Sequence, residues 1–164
     1  MGSDALSIAC ALARRFEGLR LRAYLCPAGI PSIGYGATFY LDGRPVRLGD
    51  QPISVDAAER LLVRSMETIY LPATLKLCPT ADTPGRLGAL VDFTFNLGPA
   101  RLKTSTLRKR ALARDWQGAT QELLKWTRGG GRVLPGLVAR RAAEAAFMAG
   151  NFTDAKGTAH ATSR

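Results

Sequence analysis

Apolar positions along the chain change their period twice. From Asp4 to Phe16 the run DALSIACALARRF repeats on the helical spacing, with Leu6, Ala9, Leu12, Ala13 and Phe16 on one stripe. Ser3 or Asp4 is placed to cap its start, and Gly18, directly after Glu17, is placed to end it. Residues 22–50 lose that period and are rich in Gly, Pro, Tyr and Ile, with CPAG, GYG and LDGRP as turn signals. That pattern predicts a small antiparallel sheet of two or three strands with Asp42-Gly43 in a hairpin turn.

From Ser54 onward the helical period returns. Ser54 caps VDAAERLLVRSMETIYLPATLKL, where Pro72 kinks or interrupts the helix unless it begins a new one. Thr83-Pro84 opens GRLGALVDFTFNLG, with Pro at the first helical position. Thr104 starts STLRKRALAR and Asp115 starts WQGATQELLKW. RGGGRVLPG, residues 128–136, reads as a flexible loop, and LVARRAAEAAFMAG closes on Gly150 as a C-cap. No internal repeat is visible. The layout predicts an α+β fold, a small antiparallel sheet lobe and a larger helical lobe with a cleft between them. The expected organisation is a single domain over residues 1–164: first helix 1–18, β lobe 19–53, helical lobe 54–150 and a frayed tail 151–164.

Composition narrows the partners. Lys and Arg total 23 against 13 acids, a net charge of +10, which favours a polyanionic partner or surface. The cations are spread along all the helices and no nucleic-acid motif is present, which argues against a nucleic-acid module. No run of 18 apolar residues exists, so no transmembrane helix and no stable membrane insertion are expected. The N-terminal stretch lacks a basic start and a cleavage site, so it does not read as a signal peptide. The three cysteines, 10, 26 and 78, cannot all pair and form no CxxC, and the sole histidine, His160, lies in the tail. Neither a metal site nor a cofactor is expected. RGGGRV lacks the Lys-Ser/Thr of a phosphate loop.

The chemistry concentrates in FEGLRLRAYLCPAGIPSIGYGAT, residues 16–38. Glu17 sits where the first helix ends, and the negative helix pole there disfavours the charged carboxylate. A proton-bearing acid at a cleft edge suits cleavage of a glycosidic bond, which needs a donor at the leaving oxygen and a second group across the sugar. Cys26 and Ser32 follow on the β side, and no other acid occurs between Glu17 and Asp42. Taken alone, Glu17 also reads as a solvated helix-end acid, Cys26 as an inert buried thiol and Ser32 as an outward strand hydroxyl.

The stretch resembles the phage-type lysozymes, the endolysins of glycoside hydrolase family 24. Their motif runs Glu, eight residues, Asp or Cys, five residues, Thr; here it runs Glu17, eight residues, Cys26, five residues, Ser32. The flanks EGLRLRAY and SIGYGAT, and the later blocks SVDAAERLL, ALVDFTFNLG, TSTLRK and GGRVLPGLVARRAAE, extend the resemblance over roughly residues 8–150. It implies a lysozyme-like fold and hydrolysis of the β-1,4 bond between N-acetylmuramic acid and N-acetylglucosamine. Glu17 then carries over as general acid, Cys26 at the Asp-or-Cys position and Ser32 at the Thr position. Ser32 keeps the hydroxyl and drops a methyl, which implies reduced but not abolished function there. Phe16 precedes Glu17, so a salt bridge from an acid at that position is absent. Cys26 either substitutes for the second acid or leaves most of the work to Glu17.

Further candidates are Tyr35, to stack on a sugar, and Asn96, to hydrogen-bond a sugar amide. Cys10 and Cys78 read as core packing, as do Trp116 and Trp126. Arg140 and Arg141 approach the active-site helix or line a solvated face. The expected partner is peptidoglycan, met by a monomer made in the bacterial cytoplasm and released to the periplasm through a holin-type pore. Two rival readings are a lytic transglycosylase, which needs one acid, and a non-catalytic basic module binding wall polymer or nucleic acid.

Overall fold

A computed structural model describes residues 1–26 and 28–150. Helix α1 spans Gly2–Glu17 and buries Ala5, Ala9, Cys10, Leu12 and Ala13. It starts earlier than the apolar stripe implies: Met1 is the N-cap, and Ser3 and Asp4 lie inside the first turn without capping it. Gly18 ends α1 with φ 71, a conformation that costs a side-chain-bearing residue about 1 kcal/mol or more. That turn sends the chain into strand β1, Arg20–Leu25, which pairs antiparallel with β2, Pro31–Gly34. Two isolated bridges, Ile33 with Ala37 and Phe39 with Pro45, extend the lobe. Gly43, with φ 83, donates to the Tyr40 carbonyl at 3.0 Å, so the Asp42-Gly43 turn forms where the sequence puts it. Ile33, Val46 and Leu61 form this lobe's own small core.

The helical body begins with α2, Val55–Ser65, capped by the Ser54 hydroxyl accepting from the Ala57 amide at 3.1 Å. A π-helical segment, Met66–Tyr70, follows and passes into α3, Leu71–Leu77. Pro72 therefore sits at the junction of the π segment with α3, inside a continuous helical run, and the Leu71 amide reaches five residues back to the Met66 carbonyl. Next come α4, Pro84–Leu97; α5, Pro99–Thr104; α6, Thr106–Leu112; and α7, Trp116–Leu123. The α6 cap is Ser105 rather than Thr104, because Thr104 closes α5, a short helix the sequence pattern does not announce.

Residues 128–133, expected as a flexible loop, form a hairpin: β3, Arg128–Gly129, pairs with β4, Arg132–Val133. Gly130 and Gly131 carry φ 57 and 77, the two positive values a two-residue hairpin turn needs. Helix α8, Pro135–Met148, closes the body, with Gly150 at φ 76 beyond its end.

The core is organised on α4, which is buried on nearly every side and packs against α1 and α8. Gly88 lets α1 come close: a Cβ there would sit 2.7 Å from Ile8 Cγ2 and 2.9 Å from the Ala5 carbonyl oxygen. The arrangement is α+β, a small sheet lobe set against a larger helical lobe, as the sequence implies. Residues 151–164, the expected frayed tail with His160, lie outside the described residues.

Candidate active site

Glu17 is the last residue of α1, and its side chain is 28 % exposed. Its Oε1 accepts from Arg140 Nη1 at 2.5 Å. Arg140, on α8, is 3 % exposed and donates through Nε and Nη2 to both oxygens of Asp92, each at 2.8 Å. Asp92 is fully buried in the middle of α4. The three residues thus link the end of α1 to α8 and α4 by directional, charge-assisted bonds. Burial alone would disfavour the Arg140 cation, but Asp92 and then Glu17 outweigh it and hold its pKa above that of an ordinary arginine. The rings of Phe16 and Phe95 each lie 5.9 Å from the guanidinium carbon. Phe16 therefore supplies apolar packing around Arg140 where an acid would have supplied charge.

Arg141 is equally buried and turns the other way. It donates to Glu144 Oε1 at 2.6 Å and to Asn96 Oδ1 at 3.0 Å, and stacks 5.1 Å over Phe93. Burial pushes Glu144 well above the usual carboxylate range although Arg141 opposes it, and burial lowers Arg141. Neither arginine lies on a solvated face. Asn96 gives its carbonyl oxygen to Arg141, which leaves its amide nitrogen for other partners.

Across the Gly18-Leu19 connector, β1 ends at Leu25 and the chain turns at Cys26. The Cys26 amide donates to the Ile30 carbonyl at 3.0 Å, and Gly29 donates back to the Cys26 carbonyl at 2.8 Å. The Cys26 thiol is partly exposed. The amides of Ile30 and Ala28, with a lesser contribution from the Ser32 hydroxyl, stabilise its thiolate and draw its pKa below the ordinary value. Ser32 is 2 % exposed, and its hydroxyl donates to the Ile30 carbonyl at 3.1 Å, so it does not point outward. It has one proton to give, to that carbonyl or to the neighbouring sulfur.

Tyr24 joins the two halves: burial raises its pKa, and the charges of Glu17 and Cys26 both add to the rise. Tyr70 is raised by burial and then by Glu17, and it packs edge-on to Phe95 with ring centroids 5.1 Å apart. A cavity of about 220 Å³ between the lobes is lined by Gly36, Thr38 and Phe39 on the β side and by Thr68, Tyr70 and Phe95 on the helical side. Tyr70 and Phe95 place that cavity beside Glu17. Tyr35 also lines it but is only 8 % exposed, with its hydroxyl committed to Glu59 at 2.7 Å. Tyr24 thus feels both Glu17 and Cys26, and Ser32 adjoins Cys26, while Asn96 is tied to Arg141 and Tyr35 to Glu59.

Cys10 and Cys78 are buried and unpaired, with thiol pKa values pushed up by burial, that of Cys78 to about 11. Among the described residues no helix is long and apolar enough to cross a membrane. No group of three or more His, Cys, Asp or Glu side chains there is arranged to hold a metal ion.

Comparison with known proteins gives a consistent answer. The family model described as Phage lysozyme matches residues 14–144. An endolysin of Acyrthosiphon pisum secondary endosymbiont phage 1 is 37 % identical over 143 residues, 84 % of this chain and 92 % of the relative. The solved endolysin from Escherichia coli O157:H7 phage FAHEc1 superposes with a TM-score of 0.74 at 33 % identity, covering 86 % of this chain and 90 % of the other. A P22 lysozyme mutant superposes with a TM-score of 0.75 at 28 % identity, covering 87 % and 96 %.

Proposed function

Since the chain belongs to the phage lysozyme family, and so is a lysozyme-type glycoside hydrolase, we propose that it is an endolysin with Glu17 as general acid. Its substrate on this reading is peptidoglycan, cut at the β-1,4 bond between N-acetylmuramic acid and N-acetylglucosamine. The observation that carries the assignment is the Asp92–Arg140–Glu17 chain of bonds at the cleft edge. Arg140 takes Oε1, which leaves Oε2 as the oxygen free to hand a proton to the leaving glycosidic oxygen. As that C–O bond breaks, water adds to the anomeric carbon from the β-lobe side. The Cys26 sulfur, with its lowered pKa and its neighbour Ser32, accepts the water's proton. A thiolate here does what a carboxylate does in a two-acid site, so the absence of a second acid between Glu17 and Asp42 leaves the chemistry complete.

The protein acts as a monomer, synthesised in the host cytoplasm and reaching periplasmic peptidoglycan through a holin-type pore. The excess positive charge draws it to anionic wall polymer rather than to nucleic acid.

Turbidity clearing of outer-membrane-permeabilised Gram-negative cells tests the reading. Glu17→Gln should abolish clearing, Cys26→Asp should retain it and Cys26→Ala should lose it. A Glu17→Gln protein that clears at the wild-type rate sinks the assignment and leaves a non-catalytic wall binder. The lone carboxylate also suits a lytic transglycosylase, in which the muramic acid's own hydroxyl replaces water; muropeptides lighter by one water would identify that reaction.

A further inference from the structure

Outside the Glu17 cluster, one side-chain hydrogen-bond chain joins three elements. Glu59, on α2, uses both carboxylate oxygens: Oε1 accepts from the Tyr35 hydroxyl at 2.7 Å and Oε2 accepts from Arg14 Nε at 2.8 Å. Arg14 lies in the last turn of α1, three residues before Glu17. Tyr35 follows β2, three residues after Ser32. The bonds therefore run from the helix that ends on the acid, through α2, to the segment that leaves the Cys26–Ser32 turn.

The chain of bonds also crosses a weak point. Only Gly18 and Leu19 connect α1 to β1, and Gly18 has φ 71. Among the described residues, no other side-chain hydrogen bonds lead from α1 to the β lobe. The far end is well anchored. Gly34, with φ 65, packs so tightly that a Cβ there would lie 3.3 Å from the Ala58 Cβ, one residue before Glu59. The Tyr35 ring lines the cleft cavity, whereas Arg14 and Glu59 line a separate surface groove. The three side chains thus form part of the wall behind the cleft.

We propose that Glu59, Arg14 and Tyr35 are positioning residues that fix the separation between Glu17 and the Cys26–Ser32 turn. This rests on Glu17 being the acid. It also changes the role of Tyr35 from a stacking platform for sugar to a strut whose hydroxyl matters more than its ring face. Burial would raise the Glu59 carboxyl, but the Tyr35 hydroxyl and Arg14 outweigh it and keep it below the ordinary range, ready to accept both bonds. Loss of the strut leaves substrate able to bind and lets the two catalytic edges drift. A misplacement of about 1 Å is enough to cost up to roughly a hundredfold in rate.

The test is steady-state release of muropeptides from purified soluble peptidoglycan by wild type, Tyr35→Phe, Glu59→Ala, Glu59→Gln and Glu17→Gln. Each is assayed well below its own thermal midpoint. Tyr35→Phe keeps the ring and removes only the hydroxyl, so it reports on the strut even where Glu59→Ala fails to fold. The expected result is a kcat lowered about fivefold or more in Tyr35→Phe and Glu59→Ala, with KM within about twofold of wild type. Glu59→Gln, whose amide oxygen still accepts from Tyr35, should recover part of the loss. The proposal is overturned by a Tyr35→Phe protein with wild-type kcat, by a change confined to KM, or by a loss of rate that vanishes on cooling in step with the thermal midpoint. If Glu17→Gln is dead and Tyr35→Phe is normal, the strut alone falls; if Glu17→Gln is active, the acid assignment falls first.

Discussion

Arg140→Met is the substitution that most directly separates the two jobs of the buried cluster. Arg140 makes two 2.8 Å bonds to Asp92 and one 2.5 Å bond to Glu17 while only 3 % exposed. Methionine keeps an unbranched apolar stem and removes the charge. Asp92, fully buried, then loses the partner of both its oxygens. Breaking a buried pair by removing one member costs about 3–5 kcal/mol, because the remaining charge has neither water nor counter-ion. Arg141 is buried in the same cluster and its charge acts on Asp92's surroundings, which places the cost near the lower end of that range. For a chain of this size a cost of about 3 kcal/mol corresponds to a fall in Tm of roughly 6–12 °C. Loss of activity has a different origin, since Glu17 Oε1 is then free and the carboxyl no longer has a fixed orientation.

A double variant, Arg140→Met with Asp92→Leu, resolves the two effects. Removing both charges relieves the orphaned carboxylate, and a well-packed apolar replacement of a buried pair is often neutral or stabilising by about 1–4 kcal/mol. Urea midpoints should therefore recover most of the loss while the clearing rate stays roughly tenfold or more below wild type. Two results would refute the reasoning: Arg140→Met within about 1 kcal/mol of wild type in stability, or a double variant that clears cells at the wild-type rate.

Cys26 should react with iodoacetamide at pH 7.5 well before Cys10 or Cys78, because its thiolate is stabilised and partly exposed while the other two are buried with raised pKa values. Peptide mass mapping of a time course checks this, and equal labelling of Cys78 in the folded protein contradicts it; full labelling of all three should follow denaturation. Gly88→Ala should destabilise by about 1–3 kcal/mol through overpacking, since the new Cβ meets Ile8 Cγ2 at 2.7 Å and the Ala5 carbonyl oxygen at 2.9 Å. Thermal unfolding measures it, and Gly88→Ala with Ile8→Ala should recover only part of the loss, because the carbonyl contact remains.

Local chemistry made much of the fold legible. Gly18 after a helical stripe, Ser54, Thr83-Pro84 and Asp115 before others, and Asp42-Gly43 between turn-rich segments each fix a backbone event within a few residues of themselves, and each event occurs there. The misses arise where a local signal has two outcomes. Gly130-Gly131 suits both a loose loop and a tight turn with two positive φ values, and only the strand pairing of Arg128–Gly129 with Arg132–Val133 selects the turn. Likewise Pro72 signals a break or a new helix start, and the π segment before it is what lets the helical run continue into α3.

The candidate site was half visible for the same reason. Glu17, Cys26 and Ser32 lie within sixteen consecutive residues, so their spacing can be read directly. Arg140 is 123 residues from Glu17 and 48 from Asp92, and no period connects them. One signal was available nevertheless. Asp92 interrupts LVDFTF in the middle of a helix whose apolar residues occupy every face. An acid there cannot reach water by rotating the helix, so it requires a buried cation. Residues 137–148 contain adjacent arginines in an otherwise Ala-rich, amphipathic helix, and two neighbours on a helix diverge by about 100°. Their closest partners therefore differ: Arg140 takes Asp92 and Arg141 takes Glu144, three residues beyond it, with Arg140 Nε a more distant 3.8 Å from the same Glu144 oxygen. The buried acid of α4 thus implies the buried arginine of α8. Once that arginine has satisfied both Asp92 oxygens, the one nitrogen it has left is the nitrogen that meets Glu17.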